Sequence, residues 1–159
     1  MLAFDASSML YAWDNYPIEQ FPGLWDWMTQ RVAEGLIKMS EVAVDEVSHK
    51  ARECAAWMRQ AGLQKLDVTE PILAEAMRIK DLLGIEGEAY GSGVDENDLL
   101  IIATAKLHGC ELVTNESFQA TPAKQKRNWR IPAMRLMQSV GVTPLDFLRY
   151  LKRSEAVFR

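Results

Sequence analysis

The sequence predicts an α/β fold built on a mostly parallel sheet of about five strands flanked by helices. Three observations lead there. Short apolar runs alternate with longer helical stretches along the 159-residue chain. The stretch Asp95 to Phe118 passes from a polar cluster into an apolar helical run, closes at Gly109 and continues into Glu111–Thr114, which reads as a strand. Helix followed by strand is half of a parallel unit. That helix is apolar on nearly every face (Leu99, Leu100, Ile101, Ile102, Ala103, Ala105), as expected of one buried against a sheet.

The elements follow in order. Leu2–Phe4 is a short apolar strand with Asp5 at its end. Ser7 or Ser8 is a candidate N-cap for a helix beginning around Met9–Trp13. Asp14–Pro17 and Phe21–Gly23 are loop signals, and Leu24–Glu34 is a helix closed by Gly35. Leu36–Ser40 is the second strand. A helix opens at Glu41 and continues through Cys54 to Gly62, placing Glu46 in its second turn. Leu63–Val68 alternates and reads as the third strand. Thr69 caps the next helix, with Pro71 in its first turn and an end near Leu83. Gly84–Gly93 reads as a mobile loop leading to Asp95. After a polar, basic loop over Gln119–Asn128, Trp129–Ile131 is expected as the last strand, Pro132 as the start of a helix through Val140, and Pro144 as the start of a final helix.

Length and composition fit one soluble domain over residues 1–159, with 48% hydrophobic and 25% charged residues. No apolar run approaches the roughly 20 residues of a membrane span. Met1 leads straight into Leu2–Asp5 without a basic leader, so a cytoplasmic protein is expected, with no membrane partner. Cys54 and Cys110 are isolated and read as reduced thiols. The net charge of −4 conceals an asymmetry: the segment 124–159 carries nine basic and two acidic residues, hence +7, which leaves −11 for the first 123. An acidic body with a basic segment suits a metal site beside a phosphate-binding surface, or more blandly a solvated basic face. The aromatic group Tyr11, Trp13, Tyr16, Phe21, Trp25 and Trp27 reads either as a packed corner of the core or as a platform for bases.

Four acids carry the functional argument. Asp5 ends the first strand, Glu46 lies early in the helix after the second, Asp98 opens the central helix and Glu116 follows the strand after it. In a parallel sheet, strand C-termini and the N-termini of the helices that follow share one edge, and ligands bind there. Clustered carboxylates repel one another unless a cation compensates, and an all-oxygen set suits Mg²⁺ or Mn²⁺ better than zinc. Asp95 and Glu96 are near enough to join them or to be loop surface. His49 is one turn beyond Glu46, and His108, at a helix C-terminus, reads as structural. Glycine-rich phosphate loops and a nucleophile elbow are absent. An aspartyl-phosphate chemistry would want an acid where Ser7 stands.

The blocks Phe4-Asp5-Ala6-Ser7, Val44-Asp45-Glu46-Val47, Asp98 to Ala105, and Leu112 to Phe118 resemble the PIN-domain ribonucleases, including the VapC toxins. Tyr16-Pro17, Phe21-Pro22, Trp25-Asp26-Trp27 and Lys126 to Pro132 point to the DUF4411 branch of that clan. The resemblance spans essentially the whole chain. It implies a PIN-like three-layer sandwich and a Mg²⁺- or Mn²⁺-dependent endoribonuclease, the toxin of a toxin–antitoxin pair. Asp5, Glu46 and Asp98 match the family's metal-site acids, and Glu116 stands where many relatives have Asp. Asp95 is a further candidate ligand. Ser7, Thr114 and Asn115 would orient carboxylates or waters. The expected partners are an RNA substrate and an antitoxin protein, with a homodimer as one expected assembly. Lys124, Lys126, Arg127 and Arg130, with Lys50 and Arg52, would bind flanking phosphates. The alternatives are a PIN fold without catalysis that binds nucleic acid or protein, and a metal-dependent hydrolase of another substrate.

Overall fold

The computed structural model describes residues 1–116, 121, 123–136 and 140–159, with backbone alone for 134–136. Ser117, Phe118 and the start of the expected 119–128 loop lie outside the described residues, as do 137–139 of the helix expected from Pro132.

Five parallel strands form one sheet in the order β3-β2-β1-β4-β5. They are β1 (Leu2–Phe4), β2 (Ile37–Ser40), β3 (Gln64–Leu66), β4 (Glu111–Val113) and β5 (Pro144–Leu145). Seven α-helices among the described residues flank it: α1 (Ala6–Asn15), α2 (Pro22–Ala33), α3 (Glu41–Lys50), α4 (Arg52–Ala61), α5 (Glu70–Leu82), α6 (Glu96–Leu107) and α7 (Phe147–Ser154). Consecutive strand residues face opposite sides of a sheet. Ala3 and Phe4, Met39 and Ser40, and Leu112 and Val113 are all buried, so helices cover both faces. The result is the expected three-layer α/β sandwich. No helix among the described residues is long and apolar enough to cross a membrane.

The central helix behaves as its sequence dictates. Seven of its twelve residues are buried, Asp98 among them, and Gly109 follows its C-cap at φ +65°, the left-handed conformation that only glycine adopts without strain. Thr69 caps α5 by accepting from Ile72 N–H.

Several boundaries differ from expectation, each for a physical reason. Helix α1 starts at Ala6 with Asp5 as N-cap, not Ser7 or Ser8. Ser8 Oγ instead donates to the carbonyls of Asp5 and Val113, at 2.7 Å each. The helix expected to run unbroken from Glu41 is two helices, broken where Ala51 adopts φ −149° and ψ 86°. Trp129–Ile131 is not a strand. The chain there forms short 3₁₀ turns over Lys126–Asn128 and Ile131–Leu136, so the helix expected from Pro132 is also a 3₁₀ turn over its described part. The fifth strand is Pro144–Leu145, held to β4 by Leu112 N–H to Thr143 O and Thr114 N–H to Leu145 O. Pro144 is tolerated because β5 is an edge strand. The final helix therefore begins at Phe147, capped by the Asp146 carboxylate, which accepts from Arg149 N–H at 2.7 Å.

Most of the aromatic group is a packed corner, with Phe21 left 42% exposed. Trp25 is 2% exposed, lies edge-on to Trp13 and Trp57, and donates its indole N–H to Tyr16 O. Phe147 of α7 packs against Phe4, Tyr11 and Tyr16.

The glycine-rich loop expected to be mobile is tied down at its end. Ser92 N–H donates to Asn128 Oδ1 and Val94 N–H to Trp129 O. A Cβ on Gly93 would stand 2.1 Å from Trp129 O, so only glycine lets the two backbones meet. We expect Gly93→Ala to lower unfolding free energy by about 1–3 kcal/mol, the usual range for overpacking. Chemical denaturation of both proteins measures it, and unchanged stability would refute this packing role.

Candidate active site

The four acids meet where their elements end. Asp5 follows β1 and sits 2% exposed, fixed by its own N–H donating to Val113 O at 2.8 Å. Glu46 projects from α3, Asp98 from the first turn of α6, and Glu116 from the chain just past β4. All four line one cavity of about 180 Å³ at the C-terminal edge of the sheet, together with Asp95, Ser7, Leu10 and Lys50.

Asp5 is the most constrained. Its Oδ2 accepts from Ser7 Oγ at 2.7 Å and from Thr114 Oγ1 at 2.9 Å. Asn115 N–H in turn donates to Ser7 Oγ at 3.0 Å. Burial pushes the Asp5 carboxyl above the ordinary carboxylate range, and the two hydroxyls and Ala6 N–H oppose that push. Ser7 and Thr114 therefore stand where the sequence expected orienting groups. The Asn115 side chain does something else: its Oδ1 accepts from Phe147 N–H at 3.0 Å and so ties the start of α7 to the site.

Asp95 and Asp98 form a reciprocal cap. Asp98 N–H donates to Asp95 Oδ1 at 2.8 Å, and Asp95 N–H donates to Asp98 Oδ2 at 3.1 Å. Asp95 is thus both a wall of the cavity and the N-cap of α6. Asp98 is 8% exposed, and burial, followed by repulsion from Glu116, drives its carboxyl far above the usual range. Glu116 is raised by burial and by Asp5, while Ile131 N–H and a hydrogen bond shared with Asp98 hold it down. Glu46 is raised by burial first. Lys50, whose Nζ lies 3.8 Å from Glu46 Oε2, acts against the rise.

The donors on the cavity wall are hard oxygens, and the carboxyls of Asp5, Glu46, Asp98 and Glu116 are held above their ordinary range by burial and mutual repulsion. That chemistry fits Mg²⁺ or Mn²⁺. No three His, Cys, Asp or Glu side chains among the described residues are grouped closely enough to hold a metal ion as arranged.

Other expected residues lie outside this wall. His49 lines a neighbouring cavity with Asn97, and its Nδ1 is 2.8 Å from Asp45 O. Lys124, Lys126 and Arg127 are exposed and Arg130 is half-buried, and none of them lines the acidic cavity. Their segment is the one docked on Gly91–Val94, the backbone that leads into Asp95. Sequence reasoning missed Arg149, which stands beside Glu116 in an adjoining cavity. Its only sequence signal was membership of the basic segment.

A family model described as "Domain of unknown function (DUF4411)" matches residues 2–158. The chain belongs to the DUF4411 family. No curated protein matches the sequence of this DUF4411 chain. Among solved structures it is similar to VapBC2 from Rickettsia felis bound to a DNA fragment from their promoter, with 14% identity, a TM-score of 0.54, and 92% of this chain and 98% of that chain covered. It is also similar to FitAB bound to an IR36 DNA fragment, with 17% identity, a TM-score of 0.54, and 92% and 94% covered. These likenesses show a PIN-like α/β fold.

The raised acids set a pH dependence. A carboxyl whose folded-state pKa exceeds its unfolded value binds more protons when folded, so its contribution weakens as pH rises above the ordinary carboxylate range. The helix dipole favours ionised Asp98 by only ~0.3–1 kcal/mol, and burial with Glu116 outweighs it. We expect Asp98→Asn, measured in EDTA at pH 7, to raise the melting temperature by at least about 3 °C, the equivalent of roughly 1 kcal/mol. The gap should close as pH falls towards 4. Thermal melts across that range test it, and a lower melting temperature for the variant at pH 7 would contradict it.

Proposed function

We propose that the protein is a Mg²⁺- or Mn²⁺-dependent endoribonuclease acting as the toxin of a toxin–antitoxin pair. The observation that carries this reading is the convergence of Asp5, Glu46, Asp98 and Glu116, from four separate stretches of chain, on one cavity at the ligand-binding edge of a parallel sheet. The PIN-like fold supports it. Asp5, Glu46 and Asp98 would hold the metal, with Glu116 and Asp95 beside them on the cavity wall.

When bound, the metal lowers the pKa of a coordinated water and offsets charge on the scissile phosphate. Ser7 and Thr114 keep the Asp5 carboxylate aimed by occupying one of its oxygens. Lys50, the cation on the cavity wall, neutralises a phosphate oxygen of the bound strand. Lys124, Lys126, Arg127 and Arg130, with Arg52, contact flanking phosphates. Single-stranded RNA fits better than duplex, because unpaired bases can be splayed into side pockets. VapBC2 and FitAB were each solved on DNA, and that supports an antitoxin partner for this chain, in the cytoplasm.

The wide spacing of the donors favours one second reading, a PIN-fold module that binds RNA or protein without cleaving. The Asp5→Asn variant separates the two. Asn nearly preserves size, so the fold should survive, while cleavage of total RNA in Mg²⁺ or Mn²⁺ should drop at least about 100-fold, the scale of losing one catalytic electrostatic contact. Growth inhibition on expression alone should vanish with it. Equal cleavage by both proteins, or toxicity from both with no cleavage by either, would overturn the nuclease reading.

A further inference from the structure

Beside the acidic cavity lies a larger one of about 290 Å³, and the two share Glu116. Its wall is built from three regions distant in sequence. Thr114 and Glu116 come from the end of β4, Pro132 from the 3₁₀ turn, and Pro144, Leu145, Asp146 and Arg149 from β5 and α7. The lining is mixed, three apolar residues on one hand and Thr114, Glu116, Asp146 and Arg149 on the other. Its size matches the low end of ligand pockets, roughly 300 Å³. Trp25 and Trp57 of the aromatic corner are buried in the core, and none of its aromatic side chains lines this cavity.

We propose that this cavity is the base-specificity pocket of the nuclease, receiving one unpaired nucleobase next to the scissile phosphate and favouring guanine. The inference rests on the reading given under Proposed function. Pro132, Pro144 and Leu145 give the flat base an apolar surface, a contact open to any base. Discrimination comes from the polar groups. Asp146 uses Oδ1 to cap α7, which leaves Oδ2 as an acceptor at the wall. Guanine presents two adjacent donors on its Watson–Crick edge, N1–H and the 2-amino group, and the two lone pairs of Oδ2 can accept from both. Uracil presents one donor between two carbonyls, and those carbonyls face repulsion from Asp146. Arg149 is exposed at the cavity wall, and its cation offers the attached phosphate a partner. Its backbone N–H, not its side chain, takes part in the cap, so the guanidinium is not needed to hold the helix.

Asp146→Asn tests the assignment with little harm to the fold, because Asn is as good an N-cap as Asp. It keeps an oxygen for Arg149 N–H and places an amide donor where the second acceptor stood. The experiment follows backbone amide shifts of the protein titrated with the four nucleoside 5′-monophosphates in EDTA, for wild type and Asp146→Asn. The ends of RNA cleaved by each in Mg²⁺ are mapped in parallel. For wild type, guanosine monophosphate should shift the amides of residues 145–149 and bind about tenfold tighter than uridine monophosphate, the scale of one additional hydrogen bond to a charged acceptor. Asp146→Asn should erase that preference with an unchanged melting temperature, and the guanine bias at cleavage sites should fall with it. Four nucleotides binding alike, shifts mapping elsewhere, or an unchanged preference in Asp146→Asn would overturn the proposal. Guanine-selective binding without any RNA cleavage would instead count against the nuclease reading and leave the pocket standing. Cleavage without selectivity would do the reverse.

Discussion

Asp5 ends the central strand with its carboxylate sunk to 2% exposure, and its hydrogen-bond partners are hydroxyls and a backbone N–H, not cations. Burying a carboxylate this way is unfavourable unless its oxygens are satisfied. Much of the local architecture serves that need. Thr114 ends β4 where its hydroxyl meets Asp5 because β1 and β4 pair in register, Phe4 opposite Val113. Ser7 sits in the first turn of α1 and bonds the same oxygen, and Ser8 secures the carbonyl of Asp5 itself. The strand pairing, the tight entry into α1 and the two hydroxyls are one device for holding a charge-bearing group at a buried edge.

The same device reaches outward. Asn115 follows Thr114 and accepts from Phe147 N–H, so the position of α7 depends on the turn that presents Thr114 to Asp5. On the other side, the Asp95–Asp98 cap is entered from a backbone stretch that Gly91 and Gly93 allow to lie against Asn128 and Trp129. The basic segment is thereby anchored beside the acidic cavity, although Lys124, Lys126, Arg127 and Arg130 do not line it. Here the acidic and basic parts of the chain meet through Ser92 N–H on Asn128 Oδ1 and Val94 N–H on Trp129 O, while the acids themselves remain available at the cavity wall.

Much of this was legible in the sequence. Leu2–Phe4, Ile37–Ser40 and Glu111–Val113 stand out as short apolar runs, and α6 as an apolar helix with acids at its start. Once those elements are ordered in a parallel sheet, the meeting of Asp5, Glu46, Asp98 and Glu116 follows from topology. What escaped has physical causes. The break at Ala51 has no glycine or proline to announce it. The strand Pro144–Leu145 is two residues long, too short for any periodicity, and Trp129–Ile131 looks like a better strand until Val94 N–H takes the carbonyl of Trp129. The second cavity gathers Thr114, Pro132, Leu145 and Arg149, and no local pattern signals a wall assembled at that range.

The central claim is that the acid-lined cavity holds a divalent cation through Asp5 and Asp98. Anomalous diffraction from crystals grown with Mn²⁺ tests it most directly. The account predicts an anomalous peak inside the cavity, within about 2.5 Å of a carboxylate oxygen of Asp5 and within the same distance of one from Asp98, as oxygen-ligated hard cations require. No peak in the cavity at saturating Mn²⁺, or a peak bound elsewhere on the molecule alone, would contradict it.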